Sequence, residues 1–288
     1  MVLKSFLKKC LKKIGEFLNP PQKITVNIAS LAPSKLLDDK TALITGGTSG
    51  IGKEIAQAFL NAGANVIITG RNDDKINDCI KELSEKYSPT KVFGIQLDNS
   101  DINSFSSKLQ DIQNIISGKR IDILVNNAGV NQGGTYYCNE NDYDNILNTN
   151  LKGAFFLSRF VADYMIENKI QGNILNIASS SSLRPADSPY NISKWGIRGL
   201  TLGLAKKLIK HGIVVNGLAP GPTATPMLIK DDTDNISLPN NPSKRYAMPQ
   251  EIANMAVILT SGLGRMIVGD IVYMTGGAGL ITFDDVNY

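Results

Sequence analysis

Thr45-Gly46-Gly47-Thr48-Ser49-Gly50-Ile51-Gly52 closes one short β-type run, residues 41–46, and opens an apolar pattern at helical spacing through Ile51, Ile55, Phe59 and Ala62. Glycines at such a junction permit a tight turn, let backbone amides approach a pyrophosphate, and let the helix pack closely on its strand. The helix N-terminus adds a place favourable to negative charge. The stretch therefore predicts a strand, turn and helix whose natural ligand is a dinucleotide. Read by itself, the same turn is also a plain tight connection.

Outward from that unit, short β-type runs continue to alternate with longer helical patterns. Candidate strands fall at 41–46, 65–69, 91–97, 121–126, 172–178, 213–218 and 267–273. Repeated βα units imply a parallel sheet covered on both faces, and right-handed crossovers make it a doubly wound α/β fold with ligands at the carboxyl ends of the strands. No internal repeat or low-complexity tract interrupts the pattern. One long polar insertion, about 223–248, carries Asp231, Asp232, Asp234, Asn235, Asn240 and Asn241 with several prolines. It reads as a substrate lid, the simpler alternative being a surface loop.

The 288 residues, 42% hydrophobic and 19% charged, suffice for one compact body and match neither a disordered nor a membrane-embedded chain. No stretch approaches the roughly 18 uninterrupted apolar residues of a spanning helix. Cys10, Cys79 and Cys138 are scattered and odd in number, which offers neither a disulfide framework nor a thiolate metal site and suits a reducing, cytoplasmic setting. His211 is the single histidine, so a Ser-His-Asp triad or a histidine metal cluster would hang on one residue, and no metal is expected.

Lys4, Lys8, Lys9, Lys12 and Lys13 against Glu16 supply the whole net charge of +4, leaving 25 basic and 25 acidic residues in the rest of the chain. That balance argues against a nucleic-acid surface on the main body. Leu3, Phe6, Leu7, Leu11, Ile14 and Leu18 recur at three- and four-residue steps among those lysines, so residues 1–18 read as a basic amphipathic helix ended by Pro20 and Pro21. Three uses stay open for it: packing on its own domain or a sister subunit, peripheral contact with an anionic membrane, or docking on a partner protein. It lacks the apolar core of a secretory signal, and a mitochondrial presequence fits poorly because no arginine precedes Arg71. Residues 19–39 then form a connecting arm and 40–288 the body.

About 20 positions beyond the glycines, where a free ribose 2′-hydroxyl would call for a carboxylate, stand Gly70 and Arg71. A guanidinium there suits the 2′-phosphate of NADP, so NADP(H) is favoured over NAD(H); the plainer reading of Arg71 is a solvated loop charge. Tyr190 and Lys194 fall on one helix face if Pro189 opens the helix. A phenol with an ordinary pKa near about 10 is a poor base at neutral pH, and a neighbouring ammonium favours its ionised form. In isolation such a pair is more often a surface contact.

As a set, Thr45 to Gly52, Asn126-Asn127-Ala128-Gly129, Asn150, a serine cluster after the strand at 172–178, Tyr190-x-x-x-Lys194, and Pro220-Gly221 with Thr225 resemble the short-chain dehydrogenase/reductases in order and spacing, over about residues 40–280. The resemblance implies a single-domain Rossmann-type fold, a homo-oligomer, and interconversion of a small-molecule ketone and secondary alcohol. It puts Gly46, Thr48, Ser49, Gly50, Ile51 and Gly52 on the cofactor, with the glycines at its pyrophosphate. Asp98 and Asn99 would meet the adenine, with Asn126, Ala128 and Gly129 at the strand end beside it. Pro220, Gly221 and Thr225 would lie at the nicotinamide. Tyr190 would be the general acid/base, Lys194 would also bond the nicotinamide ribose, and Asn150 would hold a water in the proton relay. A serine hydroxyl would polarise the substrate carbonyl.

That serine is where the chain departs from the pattern. Family members commonly place it farther ahead of the tyrosine, at a position held here by Ile177. Aligning the strand end Asn176-Ile177-Ala178-Ser179 selects Ser179 instead, with Ser180 and Ser181 still open. Arg184, just after the serine run, could meet an anionic substrate or form a structural salt bridge, while Tyr136, Tyr137 and Cys138 could line a pocket or simply pack. The three-residue gap between Gly46 and Gly50, the Tyr-x-x-x-Lys spacing and the lack of a large C-terminal substrate domain argue together against the epimerase branch, and the longer tyrosine-to-lysine spacing of enoyl reductases is absent, leaving carbonyl reduction. A different class, a non-catalytic dinucleotide-binding module tethered to a membrane or complex by residues 1–18, is opposed by the intact Asn150, Ser179, Tyr190 and Lys194.

Overall fold

A computed structural model describes residues 35–132, 134–225 and 235–282. The segment 1–18, most of the arm, and residues 226–234 of the expected lid lie outside the described residues. Seven strands form one parallel sheet: β1 (Thr41–Ile44), β2 (Asn65–Gly70), β3 (Val92–Gln96), β4 (Ile123–Asn126), β5 (Asn173–Ile177), β6 (Val214–Pro220) and β7 (Ile271–Met274), in the order β3-β2-β1-β4-β5-β6-β7. Each expected strand is present, with its ends displaced. β1 stops at Ile44 because Gly46, at φ 63°, turns the chain out of the sheet, and Gly269, at φ 74°, does the same ahead of β7.

Alternation along the strands sorts the core. Ala42, Ile44, Ile123 and Val125 face one layer, built on α1 (Gly50–Asn61), α2 (Asp73–Lys86) and α7 (Pro249–Thr260), where Ile55, Phe59, Leu83, Ile252 and Val257 are buried. Leu43 and Leu124 face the other, built on α3 (Phe105–Ile115), α5 (Gly153–Glu167) and α6 (Pro189–Leu208), with Phe105, Ile112, Leu157, Val161 and Leu208. A one-residue slip of β1 or β4 would exchange these faces, so burial of about 1.5–3 kcal/mol per large side chain fixes the register. The short α4 (Glu140–Leu147) runs through a π-type turn, Asn148–Lys152, into α5. Leu37, in the last residues of the expected arm, is 1% exposed, and its amide donates to the Ala62 carbonyl at 2.9 Å, so this end of the arm packs on the body.

β1 lies between β2 and β4, so the crossovers leave it in opposite directions and a crevice opens at the carboxyl ends of these strands. At the far side the two halves of the polar insertion are drawn together by the Thr223–Ala247 and Ser237–Arg245 bridges. Arg245 grips Glu251 at 2.7 and 2.8 Å, and Glu251 accepts the Met248 amide at 2.8 Å, fixing the return of this segment to the first turn of α7. The guanidinium beside Glu251 holds its carboxyl below the usual range.

Candidate active site

The crevice is a cavity of about 1020 Å³. Of the residues singled out from the sequence, Gly46, Thr48, Ser49, Gly50, Ile51, Arg71, Asp98, Asn99, Ala128, Gly129, Ser179, Tyr190, Lys194, Pro220, Gly221 and Thr225 stand on its wall. Gly52, Asn126 and Asn150 stand behind it. Asn126 turns its amide into the sheet, donating to Ser158 Oγ and Asn176 Oδ1, both at 2.8 Å, while Asn176 donates to Thr201 Oγ1 at 2.9 Å. That buried chain ties β4 and β5 to α5 and α6, and the side chain of Asn126 is turned away from the cavity.

The neighbouring Asn127 does reach the cavity, and the sequence reading passed over it. Its Nδ2 donates to the carbonyls of Thr45 at 2.9 Å and Gly46 at 3.0 Å, and the Asn127 and Ala128 amides both donate to Thr45 Oγ1 at 3.0 Å. The ends of β1 and β4 are thereby locked around the glycine turn. Gly46 and Gly50 adopt φ of 63° and 54°, in the left-handed region that admits glycine without strain. The first turn of α1 has neither a side-chain cap nor an acidic residue, which leaves its amides and dipole for an anion. Across the crevice Asn99 is 4% exposed, and its Oδ1 is buried without a partner. A glycine cradle at an open helix end and an orphaned acceptor near the strand ends fit a dinucleotide. Arg71 is exposed on the rim beyond β2, held through its carbonyl by Gln96 Nε2 at 2.9 Å.

Ser188 caps α6, accepting the Asn191 amide at 3.3 Å, and Pro189 occupies the first turn, which brings Tyr190 and Lys194 onto one face toward the end of β5. Lys194 is 6% exposed; its Nζ donates to the Ile177 carbonyl at 3.0 Å and lies 5.6 Å from the centre of the Tyr190 ring. Burial pushes this ammonium down to about 8. Burial also raises the Tyr190 phenol above its ordinary value, opposed by its hydrogen bond with the Ser179 hydroxyl. Ser179 opens the short turn Ser180–Leu183 and accepts the Ser181 amide at 3.1 Å, so of the three candidate serines it is the one set against the phenol. Asn150 donates to the Val130 carbonyl at 2.9 Å and Ser193 Oγ at 3.2 Å, while its Oδ1 accepts the Val130 amide at 2.8 Å. Ser193 in turn donates to the Tyr190 carbonyl at 2.7 Å. Asn150 thereby ties the segment after β4 to α6 through Val130 and Ser193, and Ser193 is a second residue the sequence reading did not single out. Among the described residues no cluster of histidine, cysteine and carboxylate side chains could hold a metal.

A phenol, a hydroxyl and a buried ammonium at the strand ends of a doubly wound sheet, facing a glycine-built nucleotide cradle, define a dinucleotide-dependent oxidoreductase class. The sequence pattern of the short chain dehydrogenases matches residues 40–236, and the chain belongs to that family. It is 35% identical over 248 residues to the BbsD subunit of a hydroxy(phenyl)methylsuccinyl-CoA dehydrogenase from Thauera aromatica, covering 85% of this chain and 98% of that one. It is 32% identical over 251 residues to gluconate 5-dehydrogenase of Gluconobacter oxydans, covering 84% and 95%. The crystal structure of a 3-oxoacyl acyl-carrier-protein reductase with bound NAD from Brucella melitensis superposes with a TM-score of 0.78 at 27% identity, over 90% of this chain and 99% of that one. The family is thus one of oxidoreductases acting through a nicotinamide dinucleotide.

Proposed function

We propose that this chain interconverts a ketone and a secondary alcohol with NADP(H), as a cytoplasmic homo-oligomer. The observation that carries the reading is the convergence of Tyr190, Ser179 and Lys194 on the cavity shaped by the glycine turn. Gly46, Thr48, Ser49, Gly50 and Ile51 would hold the pyrophosphate, Asp98 and Asn99 the adenine, and Pro220, Gly221 and Thr225 the nicotinamide end. A nicotinamide held there would supply the hydride-transfer chemistry that interconverts the carbonyl and the carbinol. Tyr190 donates its phenolic proton to the carbonyl oxygen or takes it back, and Ser179 donates a hydrogen bond to the same oxygen. Lys194 stabilises the phenolate left behind, and Asn150 holds the turn that carries both. Exposed Phe155 on α5, with Ile192, Trp195 and Leu202 on α6, gives the body an apolar face suited to self-association. The free thiols Cys79 and Cys138 suit the cytoplasm. The non-catalytic module is not favoured, because Tyr190, Ser179 and Lys194 come together on the cavity.

Two expected results test this reading. Arg71 is exposed on the rim of the crevice just beyond β2, and if it holds the 2′-phosphate, Arg71→Ala should weaken NADPH binding by about tenfold or more and leave NADH binding nearly as it is. Fluorescence titration with both cofactors measures it; equal loss for both would remove the 2′-phosphate assignment. The second result is a pH dependence. Lys194 in the free protein is protonated below about 8 and loses its charge as pH rises through that value. Affinity for the anionic cofactor should fall across the same interval, and Lys194→Met should abolish that step. In parallel, alcohol oxidation should gain with rising pH and ketone reduction should not, because Tyr190, raised by burial, must shed its proton to act as a base.

A further inference from the structure

We infer that the carbonyl substrate is compact and polyhydroxylated, a keto-sugar, keto-polyol or keto-sugar acid, and not a steroid or a long acyl chain. The inference rests on the carbonyl-reductase reading of Tyr190. Beyond the phenol, away from the glycine turn, the described wall is built from the turn Ser180–Leu183, the segment after β4 and the loop returning to α7. Several polar groups there are not used by the fold. Ser180 is only 8% exposed and lines the cavity, and its hydroxyl makes no hydrogen bond to the described residues. The Ser181 hydroxyl, the Asn131 amide and the Tyr246 phenol also line the cavity without a side-chain hydrogen bond to the described chain.

Neighbouring serines show the contrast. Ser182 donates to the Ser179 carbonyl at 2.8 Å and Ser188 caps α6, so their hydroxyls are committed to the backbone. Apolar lining on this part of the described wall includes Val130, Tyr136, Pro222 and Leu238. A hydrocarbon substrate seated here would strip water from Ser180 and its companions and return no hydrogen bond, whereas substrate hydroxyls replace the lost water directly. A site of uncommitted donors and acceptors discriminates strongly against an analogue lacking their partners.

The test uses the full chain with NADPH and compares ketopentoses, ketohexoses and keto-aldonates with a cyclic hydrocarbon ketone and an acetoacetyl thioester. The best polyhydroxylated compound should exceed both others in kcat/KM by at least about tenfold. Ser180→Ala should reduce that advantage by about tenfold, mainly through KM for the hydroxylated substrate, and Ser181→Ala should reduce it less. Thermal melting of both variants separates this change in preference from loss of the fold. Preference for the hydrocarbon ketone or the thioester, or an equal loss on all substrates in Ser180→Ala, overturns this inference and leaves the carbonyl-reductase reading standing. Bound NADPH with no carbonyl compound reduced overturns both.

Discussion

Tyr190→Phe is expected to lower the rate of ketone reduction by about 10²- to 10⁴-fold, the range contributed by a positioned general acid, with NADPH affinity kept within about twofold. The ring remains, so the packing at the start of α6 and the position of Lys194 over it are retained. Only the phenolic proton and its bond to Ser179 are lost. Because burial holds the phenol above its ordinary pKa, the wild-type protein keeps Tyr190 protonated at neutral pH, which is the form that reduction needs. Rapid-mixing kinetics for turnover and a fluorescence titration for cofactor binding separate the two effects. A variant that binds NADPH and still reduces at a near wild-type rate would remove Tyr190 from the chemistry.

Gly52→Ala should damage both stability and cofactor binding, although Gly52 is not on the cavity wall. A β-carbon there would collide with the Gly46 carbonyl oxygen and the Asn127 amide, the pair whose hydrogen bond closes the turn onto β4. Relieving the collision means moving backbone, and overpacking of this kind costs about 1–3 kcal/mol. For a chain of this size each kcal/mol lowers the melting temperature by about 2–4 °C. The turn that must approach the pyrophosphate moves with it, so NADPH affinity should fall by at least about tenfold. Gly262→Ala, just past the end of α7, is the control, since Gly262 is exposed and a β-carbon there meets nothing within 4 Å. It should melt close to the wild-type temperature. Unchanged NADPH affinity in Gly52→Ala would show that the turn is not where the cofactor sits.

Much of this site was legible because its residues act locally. A glycine turn between a strand and a helix, and a tyrosine one helical turn before a lysine, declare their geometry through spacing, and both lie where spacing places them. The sheet was legible for the same reason: alternation along β1 and β4 points to two cores at once. What spacing does not carry is which of two adjacent amides faces the cavity. Asn126 and Asn127 differ only by the flip of a strand end, and the outcome depends on Ser158, Asn176 and Thr201, which arrive from α5, β5 and α6. Ser193 was likewise hidden, because its role exists only once the π-type turn brings Asn150 beside α6. Among the serines, the strand end in the sequence pointed to Ser179, and the turn it caps separates it from Ser180.

The most direct test of the central claim is to reduce a ketone with NADPH deuterated on the nicotinamide ring and locate the label by mass spectrometry. The account predicts one deuterium on the carbinol carbon of the product, formed by the wild-type protein and nearly absent with Tyr190→Phe. An alcohol whose carbinol hydrogen comes from water, or tight NADPH binding with no alcohol formed from any ketone, would contradict it.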